Sequence, residues 1–516
     1  MSVHERQRPP AGHGEVLTAP RYEEWAELVR ANRAWARGLP APLEALRVRA
    51  RQDAVSLARD YSAAIGVVDP GSVPDAPLVV TGHQPVLYHP GVWVKVFLAD
   101  RFAQETGGLA LDLVVDTDTA RAVELVAPCR AQRIEVCRVP LAELPYGTPF
   151  VSAGVPGPGE LATFRARGAD VLATLPAEAP RRHFAAFCDA LDEVAPAADD
   201  LATLVTAARR HYERAAETRY LALPVSRMAR TPSARAFSGM LLAEARRFAV
   251  VYNEALGDYR RRTGARSSAQ PFPDLVTGED RVETPFWHLD GNVRHSVYVD
   301  RAGVLWAGGG PLADIGESAS SAAAALERAD VTLAPKALAL TLFQRLFVAD
   351  LFIHGTGGAR YDRVTDEVIE AFFGIAPPAY AVASMTMVLP VGCRLVTDAD
   401  VASLEERLHR LEHNPDQMLD EVEFDAVTER EAAERLARRK ADLVERISEQ
   451  GADRKALGLE IREVNGALGR LMAPVIDETR AALGRAREAR DASAILTDRT
   501  YPFCLWDPRE VADKVR

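Results

Sequence analysis

Lysine is the scarcest charged residue of this chain, with five lysines among 62 basic residues in 516 positions. Arginine carries nearly all of the remaining positive charge, a usage typical of proteins from GC-rich genomes. A lysine kept beside apolar sequence is therefore of interest, because a compact ammonium makes contacts that a guanidinium cannot imitate. Lys95 and Lys336 are the two lysines that fall inside motif-like segments.

Cysteine is also scarce, and its spacing excludes several kinds of site. No CxxC pair and no zinc-ligand spacing is present, so the sequence predicts mostly reduced core cysteines and no bound metal. The five cysteines are Cys129, Cys137, Cys188, Cys393 and Cys504.

Long apolar runs and an excess of positive charge are both missing. No uninterrupted apolar stretch approaches the roughly 20 residues that span a bilayer, and the polar N-terminus lacks the apolar core of a secretory signal. A net charge of −11 argues against a surface that coats nucleic acid. The sequence therefore predicts a cytoplasmic protein with no membrane and no nucleic-acid partner.

The length and the hydrophobic patterning predict an α/β protein of several domains, because 516 residues exceed a single core. Residues 140–180 are rich in proline and glycine and are predicted to loop over the core. Asp290-Gly291-Asn292 is a hairpin signal inside a β-patterned stretch. The predicted parts are an N-terminal helical segment and linker (1–77), an α/β core (78–400) with insertions (about 140–330), an antiparallel coiled coil (401–490) and a C-terminal segment that docks on the core (491–516).

The coiled-coil prediction depends on apolar residues spaced alternately by four and three. These residues are Leu457, Ile461, Val464, Leu468, Leu471 and Val475. Residues 403–448 offer the opposing leucines, and Gly451 predicts the turn between the two helices. Pro474 is expected to kink or loosen the second helix.

The most informative stretch runs from Leu78 to Lys95. Leu78, Val79 and Val80 predict a buried strand, which a turn with glycine and two histidines joins to an apolar helix-like segment. A strand, a glycine-containing turn and a helix present backbone N–H groups to an anion in α/β sheets, and the imidazoles can add protonatable donors. The candidate residues are Thr81, Gly82, His83, Gln84, His89 and Lys95.

A second apolar run ends in Asp116 and Asp118. Strand, helix and strand over this length form a βαβ unit with parallel strands, so these carboxylates are expected at the same sheet edge as the histidines. They are candidates to bind an amino group, a ribose hydroxyl or Mg²⁺, and the alternative is an ordinary helix cap.

A glycine-rich bend after residue 353 is the third candidate region. Its glycines permit close approach of a ligand to the backbone, and charged and aromatic residues follow them. The candidate binding residues here are His354, Gly357, Gly358, Arg360, Tyr361 and Asp362.

These segments together resemble the bacillithiol-biosynthesis cysteine-adding enzymes, a family of cysteine ligases. TGHQPVLYHPGVWVK (81–95) resembles the TGQQ-type turn and lysine-bearing helix of that family, and VVDTD (114–118) occupies the place of its acidic motif. HGTGGARYDRVTDEVIEAFFG (354–374) is similar to its double-glycine segment. His83 replaces the first glutamine, the turn is shorter, and the acidic motif lacks a central histidine, so the chain resembles a divergent member.

The resemblance implies a Rossmann-like parallel-sheet core related to class I nucleotidylyl-transferring enzymes, with insertions and a homodimer formed through the coiled coil. It implies a reaction that joins cysteine to the amino group of a glucosaminyl-malate. It also places Tyr252 and Asn253 on a substrate-side helix.

The leading functional hypothesis is a ligase that forms a C–N bond between an amino acid and a small polar amine. The carboxylate is activated either by ATP with Mg²⁺, as an acyl phosphate or an acyl adenylate, or before it reaches the enzyme, and no cofactor is fixed by the residues themselves. His83, His89 and Lys95 are the candidate catalytic residues, and the other candidates named above bind substrate or nucleotide.

Two alternatives compete with the ligase. The first is a metal-dependent hydrolase, whose ligands are of types that suit Zn²⁺ or Mn²⁺, although no HxH or HxxxH spacing supports it. Its candidate ligands are His83, His89, Asp116, Asp118 and His354. The second is a non-enzymatic coiled-coil scaffold that keeps a degenerate ligase core.

Overall fold

The computed structural model describes residues 8–71, 75–131, 133–264, 272–392, 395–424 and 426–516. The chain divides into two compact units. The larger unit comprises Met1–Cys129, Val136–Pro390 and Asp498–Arg516, and the smaller comprises Arg130–Glu135 and Val391–Thr497. Within the part of the chain that is described, no helix has the length and apolar character needed to cross a membrane.

The strands are β1 (Val16–Ala19), β2 (Leu78–His83), β3 (Leu109–Val114), β4 (Ala122–Arg130), β5 (Ile134–Glu143), β6 (Leu221–Pro224), β7 (Arg281–Asp290), β8 (Val293–Asp300), β9 (Val304–Ala307), β10 (Gly310–Asp314), β11 (Leu333–Pro335), β12 (Leu351–His354) and β13 (Ala381–Met385). The α-helices are α1 (Trp25–Ala36), α2 (Ala41–Ala64), α3 (Pro90–Thr106), α4 (Pro158–Ala173), α5 (Ala179–Val194), α6 (Leu201–Tyr212), α7 (Val225–Met228), α8 (Pro232–Ala243), α9 (Ala245–Thr263), α10 (Ala319–Arg328), α11 (Ala337–Phe343), α12 (Thr356–Val368), α13 (Asp398–His413), α14 (Val427–Ile447), α15 (Arg454–Leu471), α16 (Ala473–Leu496) and α17 (Pro508–Val515). Two π-helical turns follow α11 and α12, at Gln344–Val348 and Ile369–Phe373.

A six-stranded sheet with the order β1-β13-β12-β2-β3-β6 forms the centre of the larger unit. All of its neighbours pair in parallel except β1, which is antiparallel to β13. Short apolar runs such as Leu78–Val80 are buried here, as expected for parallel strands covered on both faces. The mixed α/β class and the parallel β2–α3–β3 unit are therefore confirmed.

The strands that follow β2 in the chain lie on both sides of it in the sheet, so the strand order reverses at β2. From β2 the chain passes through α3 to β3 and later to β6, whereas β12 and β13 lie on the opposite side of β2. In open α/β sheets, ligands bind outside the carboxyl ends of the strands at such a switch point. The fold thus places a crevice after His83 and His354, the last residues of β2 and β12.

A second, antiparallel sheet has the order β10-β9-β8-β7-β11. The predicted hairpin is confirmed, because Asp290 at the end of β7 pairs with Val293 at the start of β8. Gly291 in that turn has a φ of 55°, a conformation that glycine adopts without strain.

The prediction that 140–180 loops over the core is wrong. Strand β5 extends into this stretch, and α4 occupies much of it. Pro158 suits the first helical position, and the Glu160 carboxylate accepts a hydrogen bond from Gly157 N at 2.7 Å. The proline and glycine that suggested a loop therefore begin a helix.

The smaller unit is helical, and α14 and α15 form a hairpin around Gly451, whose φ is 91°. The predicted opposing segment 403–448 is divided, because the short helical turn Pro415–Glu421 separates α13 from α14. Pro474 lies in the first turn of α16 and marks a helix boundary rather than a kink. The supercoil and the homodimer stay predictions.

Two cysteines differ from the expectation of reduced thiols. Cys129 in β4 and Cys137 in β5 form a disulfide between the two strands of a small sheet, with their Cα atoms 5.9 Å apart. Cys188 and Cys504 are free and buried, and Cys393 lies outside the described residues. Because disulfides persist mainly in oxidising compartments, this bond gives no support to the predicted cytoplasmic location, which stays a prediction.

Candidate functional site

A cavity of about 680 Å³ occupies the switch-point crevice. Its walls come from the ends of β2 and β12, the first turns of α3 and α12, and Arg499 near the C-terminus. Many of the residues predicted from the sequence line it together: Gly82, His83, Gln84, His89, Lys95, Asp118, His354, Gly357, Gly358, Tyr361 and Asp362.

Lys95 brings a buried ammonium to this cavity from the second turn of α3. Its Nζ donates a hydrogen bond to Gly82 O at 2.8 Å, so the lysine points back toward the turn that precedes its helix. Burial lowers the pKa of Lys95 to about 8, and nearby Arg209 adds to this while Asp112 opposes it. Lys95 is therefore charged at neutral pH but loses its charge in mildly alkaline solution.

The two histidines are neutral at pH 7. Burial, reinforced by Lys95, lowers the pKa of His83 to about 3, and burial with Arg499 lowers the pKa of His89 to about 4. His89 Nδ1 accepts a hydrogen bond from Gly91 N at 3.1 Å and caps α3, which leaves the proton on Nε2. Lys95 and Arg499, rather than the histidines, supply the positive charge.

The first turn of α12 offers the clearest set of anion donors. The first N–H groups of a helix lack intrahelical partners, and among the described residues nothing accepts from the N–H groups of Thr356, Gly357 and Gly358. These residues line the cavity. By contrast, Gly91 and Val92 at the start of α3 already donate to His89. The sequence predicts that the TGHQ turn presents free backbone N–H groups to an anion. In the structure, the free N–H groups lie in the HGTGG segment instead.

His354 is held by a buried carboxylate. Its Nε2 lies 2.8 Å from Asp362 Oδ2, and Arg345 Nη1 donates to the same oxygen at 2.6 Å. Although burial alone raises the pKa of Asp362, Arg345 and His354 lower it to about 2. Within the described chain His354 Nδ1 has no hydrogen-bond partner, so the imidazole keeps one nitrogen available at the cavity.

Asp118 is fully engaged at the edge of the cavity. Its carboxylate accepts hydrogen bonds from Gln84 Nε2 at 2.5 Å, Arg294 Nη1 at 2.7 Å and the Thr119 N–H at 2.9 Å. It connects the β2 turn with the antiparallel sheet, and it also lines a second cavity that adjoins the first.

Five predicted site residues lie outside this cavity. Asp116 is buried and accepts hydrogen bonds from the Ser226 N–H and Oγ at the start of α7, a helix remote in sequence, so it is not the cap of a helix directly after its own strand that the alternative interpretation expected. The other four are Thr81, which donates to Ile353 O; Arg360, which is exposed; Tyr252, which lines the second cavity; and Asn253, which pairs with the backbone of Leu275.

The stability of the protein is expected to fall as pH rises from about 4 to about 7 because of Asp116, and this contribution levels off at higher pH. Burial raises the pKa of this carboxyl from 3.8 to about 7, so its favourable protonated form is lost as pH rises through the folded value. Asp116→Asn keeps a neutral group and should flatten this fall in the free energy of unfolding. Urea denaturation at several pH values measures it, with exposed Asp60→Asn as the control. Parallel pH profiles for wild type and Asp116→Asn would contradict the assignment.

Sequence reasoning missed Arg499. Its guanidinium donates to Ser384 Oγ at 3.0 Å, Thr386 Oγ1 at 2.9 Å and Met385 O at 2.6 Å, which fixes it beside the cavity. The available signal was the apolar segment 500–508, which docks through buried residues such as Trp506.

Comparisons with protein-family models and with curated proteins give no match for this chain. The fold and the cavity define it as a mixed α/β protein with a donor-rich crevice at the switch point of a largely parallel sheet.

Proposed function

We propose that this chain is a ligase that joins the carboxyl group of an amino acid, cysteine, to the amine of a small polar acceptor. The observation that carries the proposal is the convergence on one cavity of Lys95, Arg499 and the free N–H groups of α12. Such donors stabilise the phosphates of a nucleotide and the carboxylate that it activates.

The proposed chemistry has two balanced steps. The amino-acid carboxylate attacks the γ-phosphorus of ATP, which forms an acyl phosphate and releases ADP. The amine then attacks the carbonyl carbon, the C–N bond forms, the C–O bond to phosphate breaks, and phosphate leaves. His354 Nδ1 is the acceptor that the cavity offers for the proton of the amine, with Asp362 orienting the ring.

The residues of the cavity do not fit a protein-held Mg²⁺ site. Asp118 and Asp362 are the carboxylates that line it, and each already pairs with an arginine. The proposed reaction therefore includes no protein-bound metal, and any Mg²⁺ would be bound by the phosphates of the nucleotide.

The arrangement of donors does not favour the metal-dependent hydrolase. In the described ranges, no three of its predicted ligands bring their ligand atoms within coordinating distance of one another. Asp116 bonds Ser226, Asp118 bonds Arg294 and His354 bonds Asp362. Metal analysis of the purified protein, with and without added Zn²⁺ or Mn²⁺, tests this alternative.

Calorimetry with ATP and with cysteine tests the ligase. We expect Lys95→Met to weaken ATP binding about tenfold, because it removes one charge-assisted contact. His83→Ala is expected to weaken binding by a smaller factor, because His83 is neutral. Affinity for ATP in the wild type should also decline above pH 8, where Lys95 loses its proton.

Lys455→Met is the matched control, because Lys455 is exposed in the helical unit. It should leave both binding isotherms unchanged. Failure of the wild type to bind ATP and cysteine would refute the ligase, and identical isotherms for wild type, Lys95→Met and His83→Ala would remove the site assignment. Release of ADP that requires both cysteine and an amine would then identify the acceptor.

A further inference from the structure

The second cavity has a volume of about 480 Å³ and no assigned role in the chemistry above. It adjoins the first, because the two share Val115, Asp118, Phe272, Ala337, Leu338 and Leu340. Its remaining wall comes from the antiparallel sheet and from the segment 273–276, with Trp287 and Lys336 among the lining residues. A ligand there would lie next to whatever occupies the switch-point crevice.

Two cations lie against Trp287 in this cavity. Lys336 Nζ is 4.4 Å and the Arg294 guanidinium carbon 4.5 Å from the centre of a Trp287 ring. Lys336 precedes α11, and its backbone N–H donates to Pro285 O at 2.9 Å, which fixes the residue at the junction of helix and sheet. Lys336 is also one of the two lysines singled out by the sequence.

Each cation already has one carboxylate partner. Lys336 Nζ donates to Glu283 Oε1 at 2.6 Å, and Arg294 Nη1 donates to Asp118 Oδ1 at 2.7 Å. The third carboxylate of the wall, Asp274, pairs with Arg260 at 2.8 Å. The charged groups are thus matched one to one, and net charge alone selects no ligand.

Lys336 and Arg294 carry more hydrogen-bond donors than their carboxylate partners use. The Glu283 carboxylate accepts from Lys336, from Ser296 Oγ at 2.8 Å and from the Val276 N–H at 3.0 Å, and Asp118 likewise accepts three bonds. An ammonium has three N–H donors and a guanidinium five, yet among the described residues Lys336 and Arg294 each use one. The wall therefore offers spare donors beside carboxylates that are already satisfied.

We propose that the second cavity is an oxyanion subsite, in which Lys336 and Arg294 bind a carboxylate or phosphate group on the co-substrate. Two cations with spare donors beside the same aromatic ring favour a planar or tetrahedral oxyanion, since charge-assisted hydrogen bonds are the strong ones. The assignment of this anion to the amine acceptor rests on the proposed function. The binding of an anion at the subsite does not depend on that function.

Lysine labelling of the intact chain tests the subsite, because the five lysines give an unambiguous peptide map. The full-length protein is acetylated with an N-hydroxysuccinimide ester at graded concentrations of inorganic phosphate or succinate, with chloride at equal ionic strength. Mass spectrometry follows each lysine. We expect phosphate, succinate or both to slow acetylation of Lys336 in a saturable way, while exposed Lys455 and Lys514 react unchanged.

Variants check the second cation. Arg294→Gln should raise the half-protecting anion concentration about tenfold, because one charge-assisted contact is lost. Arg301→Gln, at an exposed arginine next to the same sheet, should leave it unchanged. Protection by phosphate only, or by succinate only, identifies the group that the subsite accepts. The wild-type measurement needs no variant to fold.

Three outcomes would overturn the subsite. The first is that neither anion slows the acetylation of Lys336. The second is that the half-protecting anion concentration is the same in Arg294→Gln as in the wild type. The third is that the anions slow the acetylation of Lys95 in the first cavity but not that of Lys336. The last result would leave the proposed ligase intact. Conversely, protection of Lys336 in a protein that binds neither ATP nor cysteine would uphold the subsite and refute the ligase.

Discussion

Replacing Arg345 by methionine is expected to lower the free energy of unfolding by about 3–5 kcal/mol, the cost of leaving a buried carboxylate without its partner. The Arg345 and Asp362 side chains are 1% and 2% exposed, and the two groups are 2.6 Å apart. Arg345 also pairs with Asp366 at 2.7 Å. Methionine fills much of the volume but leaves both carboxylates without their cation.

The same substitution should change the site. Without Arg345, the pKa of Asp362 is expected to rise from about 2, because burial then dominates. A depressed carboxyl pKa stabilises the fold above the unfolded value and loses that contribution as pH falls toward the folded value, so Arg345→Met should unfold at a higher pH on acidification. Protonation of Asp362 would remove the negative charge that orients the His354 ring.

Urea denaturation and acid titration measure both effects, and Arg480→Met is the matched control. Arg480 pairs with Glu412 at 2.8 Å on the surface, with side chains 55% and 37% exposed. Removing an exposed pair costs about 0–1 kcal/mol. Equal losses in the two variants would show that the Arg345 network contributes no more than a surface contact.

The central part of the fold could be predicted because its signals are local. The apolar runs of β2 and β3, separated by the apolar helix α3, specify a parallel βαβ unit within one short segment. The glycines after β12 predict only a bend, whereas the structure places Gly357 and Gly358 in the first turn of α12. By contrast, β1 is only four residues long and is placed by pairing with β13, nearly the whole larger unit away in sequence.

The charged partners of the site could not be predicted, because long-range packing decides them. Arg499 contacts Ser384 across 115 positions, and Arg294 contacts Asp118 across 176. In a chain this rich in arginine, nothing in the local sequence separates these residues from arginines on the surface. The same packing turned Asp116 toward Ser226, although it lies two residues from Asp118 in the same motif.

Replacing Gly82 by alanine is expected to destabilise the protein by about 1–3 kcal/mol and to weaken ligand binding at the crevice. A Cβ at this position would lie 2.6 Å from Leu113 Cβ and 2.7 Å from Leu113 O, on the strand paired with β2. Backbone atoms of a central strand cannot yield as a flexible side chain can, so β2 must shift. Because Gly82 O accepts the hydrogen bond of Lys95, that shift displaces the ammonium from the cavity.

Gly159→Ala is the control, because Gly159 is exposed away from the cavity and a Cβ added there would meet no neighbouring atom within 4 Å. In the first turn of α4, alanine should change the free energy of unfolding by no more than about 1 kcal/mol, and toward stability. Urea denaturation and ATP calorimetry on both variants separate a packing effect from a binding effect. If Gly82→Ala kept wild-type stability and ATP affinity, the close approach of β2 and β3 would not be what positions Lys95, and its hydrogen bond to Gly82 would be incidental to the site.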